Sequence, residues 1–338
     1  MVSYTVLSSG SKGNSAVLTA GRTRILIDAG LSCRELFRRM KLVDEDPSTL
    51  DAILITHEHS DHVNGLAVTA RKLGIPVFFT EATHRAWVRQ ITPKRRITYA
   101  QWIEEQRLLK QRAEADTEAA SAFNESALDG DPKTDEAYDA EEEAAEELTA
   151  ASGPSPTPGP AKSPSRAEDP AWLPAVEYFT AGSPFNFGDA TIRPFTIPHD
   201  AADPVGFVFE SEGMRLAVAT DLGYMPPNVK AELRSLDLLH IESNHDLDML
   251  RDGPYPWAVK QRVLSRVGHL SNDSTAQFLA AEYDGNAAYV ILAHLSECNN
   301  LPELARIAAE RALECHASLI TNRLLIAHQH EPLKPILF

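Results

Sequence analysis

Short apolar runs alternate along the chain with stretches whose apolar residues recur every three or four positions. Residues 4–8, 15–19 and 24–28 read as strands separated by glycine-bearing turns at 10–13 and 20–21. Residues 31–42 read as a helix, 52–56 as a buried strand, 63–73 as a helix, 77–80 as a strand and 81–90 as a helix. Beyond residue 170 the strand pattern resumes at 190–198, 205–210, 215–220 and 236–242. Helices are then expected at about 257–266 and 271–283, a strand at 289–293, a helix at 301–315 and a strand at 323–327. Hairpins first and crossovers later, with helices interspersed, suggest two sheets covered by helices.

The pattern breaks between residues 112 and 170. That segment carries 16 acidic and 4 basic residues, a net −12, and contains the tract SGPSPTPGPAKSPS. A Pro/Ser tract buries no apolar surface and stays extended. The Ala/Glu-rich part before it favours helix but lacks a sustained apolar face. The segment is therefore read as a disordered insertion. It interrupts one domain, formed by residues 1–111 and 171–338, because the pieces on either side complete one set of ligands. An acidic arm that mimics nucleic acid, or recruits a basic protein partner, is the functional alternative.

Charge changes the picture once it is divided. The 338 residues have a formal net charge of −16, with 43% hydrophobic and 24% charged residues, so a real core forms. Such a total argues against a polyanionic partner. Removing the insertion leaves −4 on the other 279 residues, with basic groups at Arg38-Arg39, Arg71-Lys72 and Lys94-Arg95-Arg96. Local field at a cleft governs steering more than total charge does, so a nucleic-acid substrate is not excluded. Three cysteines, Cys33, Cys298 and Cys315, give neither a disulfide framework nor a CxxC pair. No secretory start and no apolar run of roughly eighteen residues is present, so the expected location is cytoplasmic, without membrane contact.

The chemistry concentrates in Thr56-His57-Glu58-His59-Ser60-Asp61-His62, directly after the apolar strand. Such a turn, leaving a strand and entering a helix, can fan its side chains around two closely spaced metal ions. Imidazole and carboxylate suit Zn or Mn, with Fe as a further option, whereas Mg or Ca would call for oxygen ligands. A solvated His-rich turn is the plain alternative.

HxHxDH is the signature of the metallo-β-lactamase fold, and the chain resembles that superfamily at each expected station. Ile27-Asp28-Ala29-Gly30 fits the early acidic station, Ile197-Pro198-His199-Asp200 the isolated histidine, Ala219-Thr220-Asp221-Leu222-Gly223 the aspartate ending a strand, and Leu292-Ala293-His294-Leu295-Ser296 the late histidine. The resemblance implies an α/β fold, a four-layer αββα sandwich. It also implies that His57, His59 and His199 bind one divalent ion, that Asp61, His62 and His294 bind the other, and that Asp221 bridges them. Asp28 would orient a ligand histidine or the turn.

Within the superfamily the chain is most similar to YycJ/WalJ-type, nuclease-like hydrolases. The resemblance rests on Leu7-Ser8-Ser9-Gly10-Ser11-Lys12-Gly13-Asn14-Ser15, Ile241-Glu242-Ser243-Asn244-His245-Asp246, Tyr255-Pro256-Trp257 and Val267-Gly268-His269-Leu270-Ser271-Asn272. It implies a dinuclear phosphodiester hydrolase, acting as a 5′-to-3′ DNA exonuclease with a metal-bridging hydroxide as nucleophile. Asp61 and Asp221 would then be catalytic as well as ligating. Ser8, Ser9, Ser11 and Asn14 would offer donors to a phosphate, with Asn244 and Asn272 also at the substrate; a tight hairpin shaped by its glycines is the alternative for that turn. His245 or His269 would donate a proton to the leaving oxygen, or else is a structural histidine. His84, His240, His316, His328 and His330 read as packing or surface residues, Cys33 and Cys315 as core, and Cys298 as a buried thiol. An RNA-processing or small-molecule phosphodiesterase of the same fold is the alternative function, with a lactonase, a thioesterase or a non-enzymatic metal scaffold behind it.

Overall fold

The computed structural model describes residues 1–92, 103, 104, 106–108, 110, 169–314 and 323–338. Residues 112–168 of the expected insertion, Lys94-Arg95-Arg96, Cys315 and His316 lie outside the described residues. The described residues of 1–92 and 166–338 belong to one compact unit, and everything below concerns that unit.

Two seven-stranded sheets make up this unit. The first contains β1 (Val2–Ser8), β2 (Ser15–Ala20), β3 (Thr23–Ile27), β4 (Ala52–Leu54), β5 (Pro76–Phe79), β6 (Ala175–Tyr178) and, at its other edge beside β1, β14 (Ile336–Leu337). The second contains β7 (Phe185–Phe187), β8 (Ala190–Thr196), β9 (Val205–Ser211), β10 (Met214–Ala219), β11 (Leu238–Glu242), β12 (Tyr289–Ala293) and β13 (Arg323–Ile326), in sequence order. In each sheet the leading strands pair antiparallel through hairpins, and the pairing turns parallel at β3–β4 and at β10–β11. Parallel pairing requires crossovers, and helices supply most of them. These are α1 (Cys33–Leu42), α2 (Ser60–Val63), α3 (Leu66–Leu73) and α4 (Glu81–Ile91) around the first sheet. Around the second lie α5 (Pro227–Glu232), α6 (Leu247–Asp252), α7 (Trp257–Val263), α8 (Asn272–Ala281) and α9 (Pro302–Leu313).

Strand alternation sorts the core into three slabs. Tyr4, Val6, Leu18, Ile25, Ile27 and Leu54 face Phe207, Phe209, Leu216, Val218 and Ile291 between the sheets. The opposite-parity residues Leu7, Val17, Leu26 and Ile53 pack outward on Leu36, Met40, Leu66 and Trp87. Ala217, Leu239, Ile241, Val290 and Leu292 pack outward on Phe278, Leu279 and Ala309. The result is the αββα order of layers. No helix among the described residues is long and apolar enough to cross a membrane.

Three strands, β6, β7 and β14, have no counterpart in the sequence pattern. β6 has four residues, β7 three and β14 two, with core contact only through half-buried Val176, Phe185 and Phe187 in the first two, so none is long enough to leave a hydrophobic period to read. The helix expected over 63–73 splits into α2 and α3 at Gly65. A Cβ there would lie 1.9 Å from the Leu31 carbonyl oxygen, so the chain accepts only glycine at this crossing.

Candidate metal centre

Every candidate ligand follows a strand at the same end of the sandwich. Asp28 follows β3, the His57–His62 turn follows β4, His199 follows β8, Asp221 follows β10 and His294 follows β12. Asp28, Asp221 and His294 have left-handed backbones, with φ of 57°, 62° and 56°. A non-glycine residue in that region costs roughly 1–3 kcal/mol and persists only where its surroundings hold it. Here each turn aims a side chain off the strand end toward the same point. Gly30 lets the loops close up, because a Cβ there would sit 1.7 Å from the Asp61 carbonyl oxygen.

The side chains converge in overlapping groups. His57, His59 and His199 bring one nitrogen each within 4.8 Å of one another, and so do the ligand atoms of Asp61, His62 and His294. Asp221 joins His57 and His62 in one group, and Glu242, His269 and His294 in another. Its Oδ2 lies 3.2 Å from His62 Nε2, and its Oδ1 lies 3.4 Å from His294 Nδ1 and 3.9 Å from His199 Nε2. Asp221 Oδ2 and His57 Nε2 are buried without a hydrogen-bond partner. Orphaned buried atoms of this kind cost about 1–3 kcal/mol each, and a cation at the convergence point satisfies both. The donors, imidazole nitrogen and carboxylate oxygen, suit a transition-metal dication. The residues fit the group.

Behind the ligands lies a layer of orienting contacts. Asp28 accepts from His62 Nδ1 (2.7 Å) and from the Thr56 hydroxyl and amide (both 2.9 Å). Glu242, fully buried, accepts from His269 Nδ1 at 2.8 Å and His294 Nδ1 at 2.9 Å, and its other oxygen takes the amides of Leu222 and Leu270. Such carboxylate–histidine pairs fix the tautomer and ring plane of a ligand.

Electrostatics follow from this crowding. Burial, which opposes charge on a histidine, is outweighed at His62 by Asp221, Asp28 and Asp61, and at His294 by Asp221, Asp61 and Glu242, so both are pushed well above the usual range. Burial would raise Glu242, but His269 and His294 bring it down to about 2. Asp221 is likewise held well below its ordinary value, against burial, by His294 and His62. His57 and His199 are lowered by burial and present neutral lone pairs. The site is thus arranged to hold positive charge, which a dication supplies while displacing protons.

The residues expected at the substrate divide. Ser8 donates to the Gly13 and Gln329 carbonyls, Asn244 to the His294 carbonyl, and Asn272 bonds Ser243 and Asn300, so all three tie loops of the scaffold together. Ser9 accepts the His294 amide (2.8 Å), and Asn14 donates to Asp61 Oδ2 (3.2 Å) with His62 Nε2 at 3.0 Å, which puts both against the ligands. Ser11 is exposed at the turn. Burial lowers His245 to about 4, leaving it uncharged at neutral pH and unsuited to give up a proton; His269 borders the cluster. Glu242 is the residue that sequence reasoning misses, although an acidic residue ending an apolar strand is the same signal that marks Asp28 and Asp221.

Other expectations shift as well. Cys298 is exposed, because the chain after His294 turns outward; Cys33 is buried. Arg39 is buried, donating to the Leu7 and Gln329 carbonyls, and Arg71 donates to the carbonyls of Asp169, Pro170 and Trp172, so these cations brace loops. Asp169 and Pro170 consequently belong to the folded unit. His240 is buried with Nδ1 2.5 Å from the Tyr4 hydroxyl, His84 bonds the Tyr178 hydroxyl, and His330 pairs with Glu297 at the surface.

Comparison with known proteins agrees with this fold. Residues 9–259 match the family model of the metallo-beta-lactamase superfamily. The chain is 30% identical over 311 residues to exodeoxyribonuclease YycJ of Bacillus anthracis, covering 92% of this chain and 89% of that one. It is 29% identical over 304 residues to exodeoxyribonuclease WalJ of Streptococcus pneumoniae, covering 90% and 85%. Among solved structures, Zn(2+)-bound PqqB of Methylobacterium extorquens superposes with a TM-score of 0.57 at 14% identity, covering 98% of this chain and 99% of that one, which supports the fold alone. The chain belongs to the metallo-beta-lactamase superfamily, in its YycJ/WalJ-type branch, and is a metal-dependent hydrolase.

Proposed function

We propose that the protein is a dinuclear nuclease that shortens DNA from a 5′ end. The observation that carries this reading is the convergence of seven ligand-type side chains in overlapping groups, with Asp221 beside His57 and His62 and also beside His294, in a chain whose relatives bear the name exodeoxyribonuclease. His57, His59 and His199 would hold one ion, Asp61, His62 and His294 the other, and Asp221 would reach both. When bound, such ions supply Lewis acidity to a phosphoryl oxygen and a nucleophile at neutral pH.

The chain's own residues do the rest. Asp28 and Glu242 keep His62 and His294 in their ring planes. Asn14 steadies Asp61 and His62, while Ser9 anchors the His294 backbone. His269, whose Nδ1 is held by Glu242, is placed to pass a proton from Nε2 to the leaving oxygen. With Asp221, Glu242 and Asp61 crowded around it, the centre is strongly acidic without its ions, so metal loading precedes binding of a polyanion.

The test is a titration with Mn followed by end-labelled DNA. Mn-loaded protein is expected to shorten 5′-phosphorylated duplex DNA, and His59→Ala or Asp221→Asn to abolish the shortening. Robust hydrolysis of an ester or lactone without attack on any DNA end overturns the reading.

A further inference from the structure

A cavity of about 250 Å³ opens beside the metal centre, between the start of α8 and the loop after β10. His269 is shared between the two: it lines the cavity and it stands with Asp221, Glu242 and His294. The remaining polar wall is His245, Ser271, Asp273, Ser274 and Gln277. Leu247, Leu264 and the backbone of Gly223 make the rest. His245 is only 1% exposed, and neither ring nitrogen has a hydrogen-bond partner. An imidazole buried at a cavity wall with both nitrogens orphaned is costly unless something that enters the cavity satisfies it.

Size and chemistry restrict what that is. Cavities for whole drug-sized ligands run to roughly 300–1,000 Å³, and this one, at about 250 Å³, takes a single ring system instead. No lysine or arginine lines it, and the Asp273 carboxylate does, which disfavours a phosphate. Burial holds His245 near 4, so the ring is neutral and offers one donor and one acceptor. Ser274 and Gln277 also both donate and accept, and Asp273 accepts. A planar heterocycle with amino, imino and carbonyl edges matches that set between two leucines.

We infer that this cavity receives the terminal nucleobase of the strand being shortened, with His245 and Gln277 as specificity-determining residues. The assignment rests on the nuclease reading above. It gives the enzyme a grip on the end nucleotide that phosphate contacts alone do not provide, in the way base-processing enzymes take an unstacked base into a side pocket. A neighbouring cavity of about 230 Å³ shares Gly223, Ser274 and Gln277 and adds Tyr224, so there is space for the chain to continue.

The experiment uses the Mn-loaded full chain and duplexes whose first linkages are non-hydrolysable methylenephosphonates, so that binding is read without cleavage. Two 5′-phosphorylated duplexes are compared by fluorescence anisotropy, identical except that one carries an abasic first residue. The wild type is expected to bind the complete end about tenfold more tightly, the scale of one good base contact. Gln277→Ala and the cavity-filling Ser274→Trp, both at exposed positions, are expected to bring that ratio below about threefold, as is His245→Ala. No preference in the wild type, or equal weakening of both duplexes by the exposed-site variants, overturns the inference. Failure of the nuclease reading looks different: neither duplex is bound or shortened, and both proposals fall. A base-independent end that is still shortened with metal removes only this one.

Discussion

The two halves of the metal centre are built by opposite means. The first sheet delivers four side chains, His57, His59, Asp61 and His62, from one turn after β4. The second sheet delivers His199, Asp221, Glu242 and His294 one at a time, each at or just beyond the end of a different strand. In the first half, local chain geometry fixes spacing, and a single aspartate, Asp28, orients the cluster from behind. In the second half nothing local relates the residues, and left-handed turns at Asp221 and His294 together with the shared carboxylate of Glu242 set their positions. A compact turn tolerates loss of one support. A set of separate strand ends depends on the residue that links them.

That contrast can be broken experimentally. The largest effect is expected for Asp221→Asn, which groups with His57 and His62 on one side and with Glu242, His269 and His294 on the other: metal content by elemental analysis should fall for both sites, and activity should drop by more than about 100-fold. His59→Ala, confined to the first group, should leave the second site's metal largely in place. Equal loss in the two variants would show that the two ligand groups do not bind metal independently.

Next comes Glu242→Gln, expected to weaken metal affinity by about 10–100-fold, because it holds both His269 and His294. Asp28→Asn should fall at the low end of that range, since the turn's own geometry still places His62. Competition with a metallochromic chelator measures both, and a larger effect for Asp28→Asn would reverse the proposed hierarchy.

A smaller effect concerns acid stability of metal-free protein. Burial lowers His240, between the sheets, to about 3. Below its ordinary value near 6.5 the unfolded chain takes up a proton that the folded one refuses, so this stability is present above about pH 6.5 and is lost as pH falls toward 3. By pH 4.5 the loss is on the order of 2–3 kcal/mol. In His240→Gln, which keeps an acceptor for Tyr4, urea unfolding at pH 7 and pH 4.5 should differ by that much less. An unchanged difference would place the acid sensitivity elsewhere.

The smallest effect is expected for replacing residues 112–168 by a short Gly/Ser linker, which should change unfolding free energy by less than about 0.5 kcal/mol and leave metal content intact. Extending the deletion through Pro170 removes carbonyls that Arg71 binds and should cost measurably more. Loss of soluble protein on the shorter deletion would make the segment structural.

Most of the strand and helix pattern is legible in the sequence, because strands buried on both faces, such as β1, β4 and β11, leave short apolar runs, and helices that cover them leave a period near 3.6. β12 is recovered to the residue. What escapes is the short and the half-exposed: β6, β7 and β14 run two to four residues and are held by pairing to neighbours, too briefly to show a period. At the site, all seven expected ligand positions are brought together, whereas Ser8, Asn244 and Asn272 turn inward to brace loops. A serine or asparagine on a turn reads the same whether it faces a phosphate or the carbonyl of a residue far along the chain, as Ser8 faces Gln329 and Asn244 faces His294.

By itself, then, the sequence determines the identity and order of the candidate metal ligands, the two-sheet architecture and the segregation of acidic charge into one segment, since these rest on residue type and local spacing. The tertiary structure decides which polar side chains are spent on the scaffold. It also makes Glu242 the link between two histidines, and leaves His245 neutral and unpartnered beside a cavity. Those outcomes depend on burial and on contacts between distant strands, and neither quantity exists until the sheets have packed.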